Sequence, residues 1–214
     1  MSLIKRFLGG AVGVVYSPHH FLRDSEVLIM YTVQKINNKF YMGNIELLKS
    51  ENKVSVAGAR KIDSSSTEWL KAVIKNLDSD SVIVSGLALG ADTVAHKTAL
   101  ESGLKQIAVL PSGFNRITPQ SNHQLALDIV KDGGLLVSEY HPRVYASRHR
   151  YINRNKIIAK LGNYLIVPQF EVRSGTRHTV NFAKKLNKQI LVQDADYSGN
   201  QFIIKDSGFN TIIQ

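Results

Sequence analysis

Arg148, His149, Arg150 and Tyr151 are followed by Arg154, so three guanidiniums, an imidazole and a phenol fall within seven residues. A basic surface interleaved with an aromatic face is what grips an unpaired nucleic-acid strand. Cations meet the phosphates, and the ring stacks on a base for ~1–3 kcal/mol. Arg150 and Arg154 are also four apart, the spacing of a solvated helix face with Tyr151 turned into a core, and the cluster alone fits either reading. The wider setting adds an argument from charge. Residues 140–193 hold eleven Lys and Arg against a single acid, Glu171. That excess equals the +10 formal charge of the whole chain, because the remaining residues balance. Charge confined to one quarter of a chain marks a binding surface for a polyanion. Lys184, Lys185 and Lys188 are read differently, as a solvated helix end where positive charge suits the dipole.

Ser174-Gly175-Thr176 stands directly before a helical pattern. Unpaired N–H groups at a helix start attract anions, and glycine lets backbone approach a ligand. The tripeptide fits a phosphate cradle and fits equally an ordinary turn with a Ser or Thr cap. Gly58-Ala59-Arg60, Ser85-Gly86 and Pro111-Ser112-Gly113 each close an apolar run. Asp92 and His96 are explained more simply by a helix-start carboxylate and a hydrogen-bonded imidazole than by an acid–base or metal pair. His19-His20 have no further ligands in view. Glu139, at the end of another apolar run, is expected to organise nearby arginines. No G-x-x-x-x-G-K-[ST], no dinucleotide fingerprint after Gly58, no G-x-S-x-G elbow and no Cys nucleophile occur. No catalytic residue, cofactor or metal is therefore expected.

The elements that must position these residues alternate strictly. Strands are read at 53–57, 81–84, 106–110, 135–138, 164–167 and 189–192. Helices are read from Ser65 or Ser66 to Leu77, then over 91–101, 119–131, 151–161 and 176–186, with Gly103 and Gly133-Gly134 as stops. The strands are short, β-branched and continuously apolar, as strands covered on both faces are. The fold class is α/β: an extended Rossmann-like, mostly parallel sheet with helices on both faces. Residues 27–33 and 39–42, joined at Asn37-Asn38, read as a small hairpin before the sheet. Residues 1–50 thus form an N-terminal extension and residues 51–214 the Rossmann-like domain.

Lys5-Arg6 precedes a ten-residue apolar run at 7–16, with no small-x-small cleavage site after it. It is too short to span a bilayer, and a packed or frayed extension is expected. The absence of Cys suits a reducing compartment, and a cytoplasmic protein without a membrane partner is expected.

An ordered series of motifs then stands out. Gly58-Ala59-Arg60, the run from Ser85-Gly86 through Leu89 and Asp92 to His96, Pro119 with Asn122, Ser138-Glu139, Arg154-Asn155-Lys156-Ile157-Ile158-Ala159 and Ser174-Gly175-Thr176 follow one another. The series resembles the DNA-processing protein A (DprA/Smf) family, whose pattern reads G-[ST]-R, S-G-x-A-x-G-x-D-x-x-A-H, Y-P-x-x-N, S-E, R-N-R-I-I-A and S-G-[ST]. The resemblance runs from about residue 31 to about residue 212.

The resemblance implies an extended Rossmann-like fold, single-stranded DNA binding and no turnover. It also implies a recombination mediator that protects incoming strands in natural transformation, helps load RecA and forms a homodimer. By the same resemblance Arg60 meets a phosphate and Tyr151 stacks on or wedges against a base. Arg148 is a basic position just upstream, and Arg154-Asn155 support the pocket. Ser174, Gly175 and Thr176 line it, with Gly58 and Gly86 at the strand ends. Leu89 departs from a common Arg, Lys156 from the second Arg of R-N-R, and Thr118 from Tyr. Arg177-His178-Thr179-Val180 departs from small residues. The helical N-terminal domain and winged helix of many members have no counterpart in these residues, so a shortened version is expected. The competing class is a nucleoside-monophosphate phosphoribohydrolase or nucleotide sensor, whose P-G-G-x-G-T-x-x-E pattern is missing here.

Overall fold

The apolar runs become parallel strands because each finds cover on both faces. The structure is a computed structural model. It describes residues 33–214, together with the backbone of two antiparallel strands, β1 (Lys5–Leu8) and β2 (Ala11–Val14). The expected extension over 7–16 and the hairpin strand over 27–32 otherwise lie outside the described residues.

β3 (Val33–Ile36) and β4 (Lys39–Gly43) form an antiparallel hairpin. Its turn residues Asn37 and Asn38 have φ of 48° and 61°, the left-handed pair of a two-residue hairpin turn. That turn pairs Ile36 with Lys39, so the first strand continues past residue 33, where the sequence reading ended it. Seven parallel strands follow: β5 (Lys53–Val56), β6 (Val82–Ser85), β7 (Lys105–Leu110), β8 (Leu135–Ser138), β9 (Tyr164–Val167), β10 (Gln189–Val192) and β11 (Asn210–Ile213). β4 pairs antiparallel with β8, so the hairpin belongs to the sheet, whose order is β11-β10-β9-β5-β6-β7-β8-β4-β3.

The chain steps outward from β5 to β8, crosses back to β9 on the far side of β5, and continues to β11. Right-handed crossovers then put α1 (Ser64–Lys75), α2 (Ala91–Glu101) and α3 (His123–Lys131) on one face. They put α4 (Arg148–Leu161), α5 (Thr176–Lys185) and α6 (Ser198–Lys205) on the other. Leu70 and Ile74 of α1 and Ala95 of α2 pack with Val54, Val56 and Ile83. Ile158 of α4 packs with Val84, Ile107 and Val109, while Val180 and Ala183 of α5 pack with Leu165, Val167 and Ile190. This is the expected Rossmann-like sandwich.

Several boundaries differ from the sequence reading. Asp63, rather than Ser65 or Ser66, caps α1, accepting from the Ser66 backbone N–H at 2.8 Å. Pro119 precedes a 3-10 turn, Gln120–Asn122, and α3 starts only at His123. The Asn122 amide holds that turn by donating to the carbonyls of Leu87 and Ala88 and to the Thr93 hydroxyl. α4 starts three residues before Tyr151, since its first turn buries nothing and so carries no apolar period. α6 and β11 were not read at all.

Where the ladders end, serine hydroxyls take over. Ser85 donates to the Val56 carbonyl at 2.9 Å, and Ser138 donates to the Ser112 carbonyl at 2.8 Å. These bonds stitch neighbouring carboxyl ends together at the rim where a ligand would sit.

Candidate nucleic-acid interface

The reversal of strand order between β5 and β9 opens a crevice beyond their carboxyl ends, the place where such sheets bind ligands. It is a cleft of about 450 Å³. After β5, Gly58-Ala59-Arg60 forms one lip. Ala59 donates to the Gln169 carbonyl at 2.7 Å, and its own carbonyl accepts from Ala91 at 3.0 Å, so the lip is fixed between α2 and the β9 loop. α4 supplies the wall with Tyr151, Arg154 and Asn155, and the start of α5 supplies Ser174, Gly175 and Thr176. Thr176 Oγ1 donates to the Gly58 carbonyl at 2.8 Å, and Asn155 donates to the Gly175 carbonyl at 3.2 Å, tying the three segments together.

Eight of the ten residues singled out from the sequence therefore line one cleft: Gly58, Arg60, Tyr151, Arg154, Asn155, Ser174, Gly175 and Thr176. Gly86 lies behind the wall. A Cβ there would fall inside the Arg154 guanidinium, so only glycine leaves room for it. Arg148 is exposed at the first residue of α4, one turn before Tyr151 and outside the lining.

Two cations lie near the Tyr151 ring. The Arg60 guanidinium lies 5.1 Å from its ring centroid and that of Arg154 lies 5.7 Å away. Such contacts orient the ring and contribute about 0.5–1 kcal/mol each where exposed. Arg60 is exposed, whereas Arg154 is only 5% exposed and ion-pairs with Asp92 at 3.3 Å. Burial lowers the Arg154 pKa and Asp92 opposes that shift. Asp92 also accepts from the Ala88 backbone N–H at 3.2 Å. Arg154 Nε and Ser174 Oγ are buried without a hydrogen-bond partner, although both residues line the cleft.

The lining holds two arginines, Arg60 and Arg154, and two carboxylates, Asp92 and Glu171. Its formal charge is therefore zero. The local excess sits on exposed residues around the cleft, on Arg148, Lys156, Arg173 and Arg177. Inside, the cation with no carboxylate on it is Arg60, because Asp92 neutralises Arg154. Glu171 accepts a hydrogen bond from Ser198. Sequence reasoning missed Asp92 and Glu171 as members of this site. Asp92 had one signal available: it lies in the first turn of the helix that follows a strand next to the switch point.

Other expectations need correction. Glu139 pairs with Lys39 at 3.8 Å, not with an arginine, because β4 brings that lysine alongside the end of β8. Lys184 is no free helix end; it bonds Asp206 at 2.7 Å and lies 4.3 Å from the Phe209 ring centroid, both reached through α6. His96 is, as expected, a hydrogen-bonded imidazole: it is fully buried with Nδ1 2.8 Å from Gln106 Oε1, and burial lowers its pKa. Among the described residues no group of three His, Cys, Asp or Glu could hold a metal, and no helix is long and apolar enough to cross a membrane.

Comparison with known proteins agrees with this fold. The family model described as DNA recombination-mediator protein A matches residues 34–214. The DNA processing protein DprA of Streptococcus pneumoniae is 38% identical over 152 residues, covering 71% of this chain and 53% of that protein. Its X-ray structure superposes with a TM-score of 0.75 at 33% identity, covering 81% of this chain and 62% of that one. DNA processing protein A of Helicobacter pylori, solved for its single-stranded DNA binding mode, matches with a TM-score of 0.75 at 26% identity, covering 81% of each chain. The chain spans about half the length of the curated relatives it matches. Because the family model spans nearly all of the described residues, the chain belongs to the DNA recombination-mediator protein A family.

Proposed function

We propose that this chain binds single-stranded DNA in the β5–β9 cleft and acts as a recombination mediator, without chemical turnover of the strand. One observation carries the reading: Tyr151 lies against two guanidiniums on the wall of a cleft at the switch point. Arg60 meets a phosphate, and Tyr151 stacks on a base. The Ser174-Gly175-Thr176 turn offers the first N–H groups of α5 to a second phosphate. Arg154, held by Asp92, supports Tyr151 from behind, and Arg148 extends the cationic border along α4. The single-stranded DNA binding of the Helicobacter pylori relative supports the choice of ligand.

The absence of turnover is part of the same proposal. Both carboxylates of the lining already have partners, Asp92 in Arg154 and Glu171 in Ser198. Strand protection, delivery to RecA, a role in transformation and a cytoplasmic setting follow from the family's character as a recombination mediator. The proposal includes a homodimer. Support comes from the sheet edge at β11, where Ile212 and Ile213 are 45% and 49% exposed. Sedimentation velocity is expected to give a species of twice the chain mass, and a monomer at micromolar concentration would remove the dimer from the proposal.

The test compares labelled oligo-dT with duplex at several salt concentrations. Tight binding of oligo-dT and weak binding of duplex are expected, because a paired base offers Tyr151 no free face. Five phosphate contacts, from Arg60 and the four peripheral cations, give a log–log salt slope of about −3.5. Tyr151→Ala lowers affinity by roughly tenfold. Gly175→Ala separates fold from ligand. Gly175 has φ −63°, and a Cβ there meets nothing within 4 Å, so the melting temperature should hold while affinity falls. Equal affinity for duplex, or release of free base from a nucleoside monophosphate, would overturn the proposal.

A further inference from the structure

We propose that a bound strand continues out of the cleft across the β6–β8 side of the molecule, onto a second stacking platform built from Tyr145 and Arg116. The inference rests on the single-strand reading above and names a part of the path that the cleft does not contain.

A second hollow of about 140 Å³ adjoins the cleft, and Arg60, Ala88 and Tyr151 line both. Its far side is formed by Leu89, Thr118 and Pro119. Tyr151 is thus a partition between two hollows rather than an end wall. Leu89 is 46% exposed there, an apolar surface that suits a base or sugar rather than a phosphate. Two residues before Thr118 stands Arg116, whose guanidinium lies 4.3 Å from the ring centroid of Tyr145. Tyr145 is 62% exposed, the most exposed large hydrophobic side chain among the described residues, so a ring face remains available despite the arginine.

A single exposed aromatic needs no explanation. This one is held with unusual care. Its loop, between β8 and α4, is pinned to the loop after β7 by Gly113 donating to the Val144 carbonyl and Asn115 donating to the Pro142 carbonyl, each at 2.9 Å. Arg150 donates to the Tyr145 carbonyl while its guanidinium lies 5.2 Å from the Tyr140 ring centroid. The platform is therefore rigid before any ligand arrives, which lowers the ordering cost of stacking. Arg116, against the ring, and Arg148, three residues along the chain, are exposed and supply cations for the flanking phosphates. An aromatic face with a neighbouring cation, set two residues beyond the far side of the hollow that adjoins the first site, is what a strand crossing from one base to the next requires.

The experiment measures affinities of wild type, Arg60→Ala, Tyr145→Ala, Tyr145→Phe and Arg116→Ala for dT6 and dT20, with melting temperatures as a check on folding. Arg60→Ala should weaken both oligonucleotides. Tyr145→Ala should weaken dT20 by about tenfold and leave dT6 unchanged, Tyr145→Phe should restore wild-type binding, and Arg116→Ala should follow Tyr145→Ala. Photocrosslinking of 5-iododeoxyuridine in a 20-mer, mapped by mass spectrometry, should reach Tyr145 in the wild type. If Tyr145→Ala matches wild type on dT20 while Arg60→Ala loses binding, the platform is wrong and the cleft reading stands. A loss of equal size on both lengths would make Tyr145 part of the cleft and overturn the extension. If wild type binds neither oligonucleotide, both readings fall together.

Discussion

Asp92→Ala is expected to destabilise the protein by about 3–5 kcal/mol, because it leaves the buried Arg154 guanidinium without its counter-charge. Arg154 cannot escape by swinging outward without losing its contact with Tyr151, and Gly86 presses on its other side. The same substitution removes the acceptor of the Ala88 N–H, so the turn entering α2 loosens as well. Urea denaturation measures the loss. A double variant, Asp92→Leu with Arg154→Met, should recover much of the stability, since a buried ion pair replaced by apolar groups of similar size is often close to neutral. The double variant should still bind oligo-dT poorly, because Tyr151 has lost one of its two flanking cations. If Asp92→Ala melts with the wild type, the pair contributes nothing and Arg154 is better described as solvated.

Arg60→Ala is expected to lower oligo-dT affinity on the order of 100-fold, the range of a charge-assisted contact plus a weakened stacking partner. It should change stability little, because the side chain is exposed and no ion pair holds it among the described residues. The size of the effect follows from the balance of the lining. Arg154 is neutralised by Asp92, and Glu171 adds a negative charge, so removing Arg60 makes the formal charge of the cleft negative. The salt slope should become shallower by about 0.7, one phosphate's worth, at the same time. Arg60→Lys should recover only part of the loss, since an ammonium stacks poorly on Tyr151. A loss of less than about threefold, with an unchanged slope, would take the phosphate contact away from Arg60.

Most of the sheet was legible because its strands are buried on both faces. Val82–Ser85 and Leu135–Ser138 are fully buried, and such runs have no polar interruption to hide them. β11 escaped for the opposite reason: its four residues are exposed or partly exposed, and Asn210-Thr211 open it. The first turn of α4 escaped because Arg148 and His149 are exposed and Arg150 is polar and only partly buried. At the site, the residues carried by local motifs were legible, since each motif closes a strand or opens a helix at the same edge of the sheet. The Asp92–Arg154 pair was not, because its members lie 62 residues apart and meet only once β8 crosses over to β9. Glu171 was visible as the one acid in a basic stretch, but no spacing rule says that its loop turns back into the cleft.

The distribution of charge, neutral in the middle and positive around it, divides the labour of recognition. Distant attraction sets how fast a strand arrives and how readily ions displace it, because exposed charges act over about 8–10 Å and are screened by salt. The interior, whose charges cancel, judges what has arrived, by whether a base is free to lie flat against a ring. Capture thus rests mainly on the border and discrimination on the ring, and Arg60 is the residue that joins the two.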